Sequence, residues 1–330
     1  MRYFIVIMVI LSFTSCETDQ NRKYHEAFEI LNLEQSAHFI GKDKEEQYFE
    51  LVNTLDLSLQ MGKDNLGGTR EELINSYIHF LQSDLVEPNN KEKRYLTAQM
   101  SEAIRLIRIS FPHIRLPQIK CIVTEGKYFG PRVYYTRSNA IIIPKIELDS
   151  KNKNMVRTLI HEISHIITRF NPSLKGSLYE GIGYHALEKL ELSSFLEQRI
   201  LRNPDGMDIN WYIELNHKFY VPIIFSRHAK YMGYPFMTAL MFQLFEIQIN
   251  KKYGKILSAD LGKNENELIG YWEKISRNTT YTIHPDEIIA DNFVLMVEKK
   301  VNNSTWSRLD KNGKLLNAKL ELILKKYFST

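Results

Sequence analysis

The stretch between residues 155 and 170, MVRTLIHEISHIITRF, limits the possible folds more than any other part of the chain. Its apolar residues recur at three- and four-residue intervals, the spacing of one face of an α-helix. They are Val156, Leu159, Ile160, Ile163, Ile166 and Ile167. The pair Asn171-Pro172 ends this pattern, because proline cannot continue a helix. A helix with such a stripe must bury one face, so the fold is expected to pack around it.

The same helix carries His161, Glu162 and His165. Residues four positions apart lie one above the other on a helix, so the two imidazoles can converge on one ion at about 2 Å from each nitrogen. Glu162 is offset by about a hundred degrees around the axis, too far to be a third ligand but within reach of the reacting centre as a general base. The spacing therefore predicts a Zn²⁺ site with Glu162 as the catalytic residue.

Helical periodicity also dominates the part of the chain between residues 22 and about 115. In GGTREELINSYIHFLQ, Thr69 precedes Glu72 by three positions, which predicts a capping box at a helix start. The segment KEKRYLTAQMSEAIRLIRISF repeats the helical period, and Pro112 predicts its end.

From residue 118 the period changes to two, and three segments are typical of strands. They are IKCIVTE, RVYYTR and NAIIIPKIEL. The prediction is an α+β fold, mostly helical, with a small antiparallel or mixed sheet beside the histidine helix. Residues 16–330 are expected to form a single domain, helical over about 22–115 and with the sheet and metal site in about 116–330.

Five later segments complete the pattern. LYEGIGYHALEKL predicts a helix, INWYIELNHKFYVPIIFS is ambiguous between strand and helix, and PFMTALMFQLFEIQINKKY is a long apolar run. HPDEIIADNFVLMVEKK predicts a helix with Pro285 in its first turn. A last amphipathic helix, KLLNAKLELILKKYF, is expected to follow a turn at Asn312-Gly313.

The first residues, MRYFIVIMVILSFTSC, have one cation, an apolar run and small residues before Cys16. This order is typical of a secretory signal, and its end resembles the lipobox of bacterial lipoproteins. Residues 1–15 are therefore predicted to be a lipoprotein signal peptide and Cys16 to be the lipidated mature N-terminus, in the bacterial cell envelope. The alternative is a plain signal peptide. Cys121 lies in an alternating apolar stretch and is expected to be a buried thiol.

The net charge of +4 comes from interspersed acidic and basic residues, so the sequence presents no basic face that would neutralise phosphates. Nucleic acid is therefore not expected as a partner. The predicted partner, through the lipid on Cys16, is a membrane.

The pattern from His161 to His165, His-Glu-Ile-Ser-His, resembles that of the zincin metallopeptidases. The resemblance covers this helix and the strand before it. It implies a zincin-like domain, a bound Zn²⁺, a peptide or protein substrate and a sheet edge that pairs with an extended peptide. It also implies a third protein ligand, because catalytic zinc usually has three and keeps one position open.

Two glutamates compete for that third position. Glu287 and Asp291, in HPDEIIADNF, look like the second metal helix of gluzincins, and this resemblance implies that Glu287 binds zinc and Asp291 accepts the free N–H of His161. Glu180, in SLYEGIGYH, is similar to the Glu-Gly-x-Ala segment of aminopeptidase N-type gluzincins, with Gly183 where alanine is usual. Glu287 is preferred because Asp291, one helical turn further on, would accept a hydrogen bond from the zinc ligand His161. The alternative role of Glu287 and Asp291 is a pair of acids favoured by the helix dipole.

Other polar residues are weaker candidates. His185 would complete a site of three histidines, although its spacing is not that of metzincins. Four residues could donate to an oxyanion as donors do in gluzincins. They are His284, His228, Tyr281 and Tyr234.

The predicted function is that of a zinc-dependent metallohydrolase, most consistent with a peptidase, anchored to a bacterial membrane by the lipid on Cys16. Two alternatives remain open from sequence. One is a non-catalytic lipoprotein that uses a zincin fold for binding, and the other is a helical envelope scaffold in which the histidine pair arose by chance.

Overall fold

The computed structural model describes residues 27–43, 47–149, 152–257, 262–301 and 304–329. Helices account for 47% and strands for 20%, which confirms the α+β class. None of the helices described is long and apolar enough to cross a membrane.

The predicted signal peptide, residues 1–15, and Cys16 lie outside the described residues.

The helices are α1 (Leu33–Ile40), α2 (Tyr48–Leu51), α3 (Thr54–Met61), α4 (Arg70–Ser83), α5 (Asn90–Ser110), α6 (Met155–Arg169), α7 (Pro172–Gly181), α8 (Ser194–Glu197), α9 (Phe236–Ala239), α10 (Tyr271–Ile275), α11 (Pro285–Val301), α12 (Ser304–Arg308) and α13 (Lys311–Phe328). The strands are β1 (Phe28–Ile30), β2 (Ile119–Thr124), β3 (Tyr135–Arg137), β4 (Ala140–Pro144), β5 (Tyr184–Ala186), β6 (Lys189–Glu191), β7 (Trp211–Leu215), β8 (Lys218–Ser226), β9 (Leu240–Asn250) and β10 (Tyr253–Ile256).

The N-terminal helices begin and end where the local sequence signals predict. Thr69 caps α4 and forms the capping box with Glu72, as predicted. Helix α5 ends at Ser110, two residues before Pro112. The short strand β1 was not anticipated, because three residues are too few to show a period.

The central helix α6 packs between α5, α11 and the first sheet. The apolar stripe is buried as expected, apart from the half-buried Val156. In the same core, Phe111 stacks on Phe293 of α11, with ring centroids 5.4 Å apart. Burial of each such side chain contributes on the order of 1.5–3 kcal/mol, so the stripe fixes the rotation of α6 and the direction in which its polar face points.

The first sheet has four strands in the order β1-β2-β4-β3. The pairs β1/β2 and β2/β4 are parallel, and β3 is antiparallel to β4, so the sheet is mixed. Cys121 is buried in β2, as expected. The strand directly before α6, β4, was expected to present an edge, but it pairs with β2 on one side and β3 on the other, so the edge strand beside α6 is β3.

The second sheet has six strands in the order β5-β7-β8-β9-β10-β6. Its two outer strands are consecutive in sequence, and Leu187 and a bend at Glu188 join them into the segment 184–191. The N–H of Leu187 donates to Asn210 at the β7 side (2.8 Å), and the N–H of Glu188 donates to Lys252 at the β10 side (2.9 Å). The sheet therefore closes on itself as a small barrel, with a core that includes Phe225 and Phe245.

Two sequence predictions for this region were wrong or undecided. The expected helix LYEGIGYHALEKL ends at Gly181, and Gly183 turns the chain with a φ of 89° into the extended segment of the barrel. The ambiguous INWYIELNHKFYVPIIFS forms β7 and β8, joined by a turn at Asn216 and His217 with positive φ at both residues. Strand β8 is buried almost throughout, so it lacks the alternation of a one-sided strand.

The last helix also starts earlier than expected. Asp310 caps α13 by accepting from the N–H of Gly313 at 2.6 Å, so Asn312 and Gly313 lie in the first turn of the helix and do not form a turn before it. A side chain at Gly313 would collide with Asn278, whose Oδ1 lies 2.0 Å from the Cβ position. The glycine is therefore a packing requirement, and its turn-like appearance in the sequence was misleading.

Candidate metal centre

The crossing of α6 and α11 brings together four polar residues that are far apart in sequence. His161 and His165 lie one turn apart on α6, and Glu287 and Asp291 lie one turn apart on α11. His165 is 1% exposed and Glu287 is 2% exposed. Pro285 begins α11, as predicted, which places Glu287 in the first turn.

Three atoms from these helices face one another. Glu287 Oε2 lies 3.0 Å from His161 Nε2 and 3.3 Å from His165 Nε2. Ligand atoms about 2.0–2.1 Å from a tetrahedral Zn²⁺ are roughly 3.3–3.4 Å apart, and both distances from Glu287 Oε2 lie within a few tenths of an ångström of this value. The three ligand atoms all lie within 4.8 Å of one another. The donor set of two imidazoles and one carboxylate also suits zinc.

The orientation of the His161 ring is fixed by a hydrogen bond at the nitrogen that does not face Glu287. Its Nδ1 lies 3.0 Å from Asp291 Oδ1, so the Nδ1–H donates to the carboxylate and Nε2 faces Glu287 and His165. The other oxygen of Asp291 accepts from the hydroxyl of Thr279. This is the partner that a metal-binding imidazole generally has on its second nitrogen.

The charges of the site depend on one another. Burial disfavours a charged His161, but its hydrogen bonds to Asp291 and Glu287 outweigh burial and raise the pKa of His161 well above its usual value. Burial would likewise raise the pKa of Glu287, yet the neighbouring His165 and His161 hold it well below the usual range. The buried carboxylate is therefore ionised and requires positive charge at this point, which imidazolium groups or a divalent cation can supply.

Glu162 lies beside these residues and is 4% exposed. Its Oε2 has no hydrogen-bond partner among the residues described by the structure. Burial, together with the charge of Asp205, raises the pKa of Glu162 to about 8. A carboxylate whose pKa is shifted towards neutrality is suited to proton transfer.

Two further polar residues reach the centre from the barrel. In the loop between α8 and β7, Asn203 Nδ2 donates to Glu287 Oε1 at 2.7 Å. Asp205 Oδ1 accepts from the N–H (2.7 Å) and the hydroxyl (2.6 Å) of Thr136 on β3. Asp205 also lies close to His165 and Glu162. Sequence reasoning missed both residues. Their only local signal is Asn-Pro-Asp-Gly, which predicts a turn but does not indicate which distant residues that turn contacts.

An open cleft of about 560 Å³ leads to the centre. Its walls include Tyr134, Glu162, Asp205, Glu287 and Asp291. The two arginines in the lining, Arg132 and Arg157, are paired with Glu147 and Glu298 respectively. The lining therefore has an excess of acidic groups.

Of the four predicted oxyanion donors, only Tyr281 lines this cleft. Its ring centroid is 6.4 Å from that of His161. The negative charge of Glu287, followed by burial, raises the pKa of Tyr281, so the phenol keeps its proton. Tyr134, which the sequence analysis did not single out, lines the cleft as a second phenol, and burial raises its pKa as well.

The other three donors have different surroundings. His284 Nδ1 accepts from the N–H of Asp286 (3.1 Å), and its Nε2 donates to the carbonyl of Asp208 (3.0 Å), so His284 caps the start of α11 with both nitrogens engaged. His228 and Tyr234 face each other in the loop between β8 and α9, with ring centroids 6.4 Å apart, and neither lines the cleft.

The alternative ligands are not placed to share an ion with the histidine pair. Glu180 is exposed near the end of α7. His185 is exposed on β5, where its ring lies 5.4 Å from that of Tyr212. Within the described residues, the groups able to hold a metal are His161, His165 and Glu287, and Glu162, His165 and Asp205.

Comparisons with known proteins do not assign the chain to a family. No protein-family model, no curated protein and no solved structure matches it. Any functional conclusion therefore depends on the residues and the geometry of the site.

Proposed function

We propose that the chain is a zinc-dependent metallohydrolase of the zincin type, most consistent with a peptidase. The observation that carries this proposal is the convergence of His161, His165 and Glu287, with Asp291 bonded to His161. Beside them, Oε2 of Glu162 has no hydrogen-bond partner in the part of the chain that the structure describes. The interval between His165 and Glu287 is long because it holds the barrel. The α+β fold, with an edge strand beside α6, is compatible with a zincin-like domain.

Each residue has a distinct part in this reaction. A Zn²⁺ ion held by the three ligands would polarise the substrate carbonyl and lower the pKa of a water molecule towards neutrality. Glu162 takes a proton from the attacking water and passes it to the leaving amine. Tyr281 and Tyr134, both protonated, can donate to the oxygen on which negative charge develops.

The strand β3 offers an edge for an extended peptide, but part of that edge is already used. The N–H of Thr136 donates to Asp205, so an extended substrate would pair with the backbone just before β3, at Tyr134, which lines the cleft. Lipidation of Cys16, attachment to a bacterial membrane and a peptide or protein substrate are parts of the same proposal.

Metal analysis of the purified full chain tests the proposal. We expect about one zinc ion per chain, loss of that ion in His165→Ala, and its retention in His185→Ala, which removes an exposed histidine of the barrel. Absence of stoichiometric metal would favour the scaffold alternative. Retained zinc without hydrolysis of any unfolded protein or peptide mixture would favour the non-catalytic binding alternative.

A further inference from the structure

The side chain of Asn203 contacts the carboxylate of Glu287 from the side opposite to the histidines. Asn203 Nδ2 donates to Oε1 at 2.7 Å, whereas Oε2 faces the two imidazoles. The orientation of the amide is fixed by a second bond, in which Asn203 Oδ1 accepts from the N–H of Asp205 at 3.1 Å. A flipped amide would lose both bonds, so the donor must point at Glu287.

The loop that carries Asn203 is held against both metal-site helices. Arg169, at the end of α6, donates to the carbonyl of Pro204 at 2.8 Å. On the α11 side, Gly206 lies against His284, and a Cβ at this glycine would be 2.1 Å from the imidazole Nδ1. Asp205 is bonded to β3 as described. The position of Asn203 is therefore determined by contacts on three sides.

We propose that Asn203 is a positioning residue of the metal centre, which restricts Glu287 to binding the ion through Oε2 alone. This inference rests on the proposed function. A glutamate can offer one or both oxygens to a metal, and a catalytic site must keep a coordination position open. Because Oε1 is held by Asn203, Glu287 occupies one position, and the position that a second oxygen would take stays available.

The test compares zinc affinity and cobalt spectra of the full chain. Asn203→Ala removes the donor, and Asn203→Asp removes it while keeping the acceptor for the Asp205 N–H. Asn250→Ala is the matched control, because Asn250 is exposed at the end of β9 in the same barrel. Zinc affinity is measured by competition with a chelator, and the visible absorption of bound Co²⁺ reports the number and geometry of its ligands.

We expect Asn203→Ala to weaken zinc binding roughly ten- to a hundredfold, as loss of a partner of a metal ligand does. Both Asn203 variants should change the cobalt spectrum, and Asn250→Ala should match wild type in both measurements. For Asn203→Asp the spectrum is decisive, because the added charge by itself alters affinity. If Asn203→Ala does not fold, the cobalt spectrum of Asn203→Asp alone tests the positioning role of Asn203.

Two results would overturn the inference in different ways. Wild-type zinc binding together with unchanged spectra in the folded Asn203 variants would refute the positioning role and leave the proposed function standing. Absence of zinc binding in the wild-type chain would refute both.

Discussion

Asp291 and His161 join α11 to α6 through a hydrogen bond of 3.0 Å, and this bond directs the free nitrogen of the imidazole towards Glu287. The two residues are 130 positions apart in the chain, so the orientation of His161 depends on correct packing of the two helices. Thr279 in turn fixes Asp291.

Replacing Asp291 should therefore weaken metal binding without unfolding the protein. We expect Asp291→Ala to reduce zinc affinity by roughly ten- to a hundredfold, because His161 loses the acceptor that holds its ring. Zinc competition and a thermal melt would measure both effects. An affinity equal to that of wild type would exclude an orienting role for Asp291.

Glu162 should be required for hydrolysis but not for zinc. Glu162→Ala is expected to keep one zinc ion per chain and to lose at least a hundredfold in rate, as loss of a general base typically does. The measurements are zinc content and hydrolysis of a peptide that the wild-type protein cleaves. Full activity in this variant would remove Glu162 from the mechanism.

Glu287 and Glu180, the two candidates for the third zinc ligand, form a matched pair for mutation. Glu287→Ala should abolish tight zinc binding, since it removes one of three converging ligands, whereas Glu180→Ala should leave binding unchanged because Glu180 is exposed. Zinc titration of both variants would decide between them. The reverse pattern would assign the third ligand to Glu180.

Glu321 predicts an acid-dependent loss of stability. Burial opposes its ionisation, but hydrogen bonds from Lys325 and Lys299 outweigh burial and lower the pKa of Glu321 to about 2. Because the folded pKa lies below the ordinary value of 4.5, ionised Glu321 stabilises the fold at neutral pH, and this contribution is lost as the pH falls from about 4.5 towards 2.

Urea denaturation at several pH values would measure this contribution. Its magnitude should be about 1–2 kcal/mol at pH 7, given screening by solvent around the partly exposed lysines. Glu321→Gln should unfold more easily than wild type at pH 7, and the difference should shrink below about pH 4.5 and be largely lost by about pH 2. An equal difference at both pH values would contradict the role of ionisation.

Cys16→Ala should release the protein from membranes, because the substitution removes the predicted site of lipidation. Fractionation of cells into membrane and soluble parts would show the change. Partitioning identical to that of wild type would count against the lipid anchor.

The residues that could be identified from sequence are those whose signals are local. His161, Glu162 and His165 share one helix, and Glu287 and Asp291 share another, so helical spacing alone indicated which of them share a face. The convergence of the two helices was expected only from a family resemblance, since no local pattern encodes contacts between distant segments.

Asn203, Asp205 and Tyr134 could not be placed in this way. Each lies in a loop or at a strand end, and its relation to the centre depends on how the barrel and the first sheet dock on α6.

The strands of the barrel could not be predicted from sequence for a related reason. Its long strand β8 is buried on both faces, because one face contacts the interior of the barrel and the other packs against the body of the protein. Such a strand has no alternation to distinguish it from a buried helix.

Closure of the barrel has a consequence for the solubility of the folded chain. An inserted open sheet would expose a row of unpaired N–H and C=O groups along each outer strand, a template for association between copies. Here the segment 184–191 pairs with β7 along its first half and with β10 along its second, so β8 and β9 have neighbours on both sides. The insertion therefore holds its two longest apolar strands, β8 and β9, between paired neighbours, where neither presents an unpaired edge to another copy of the chain.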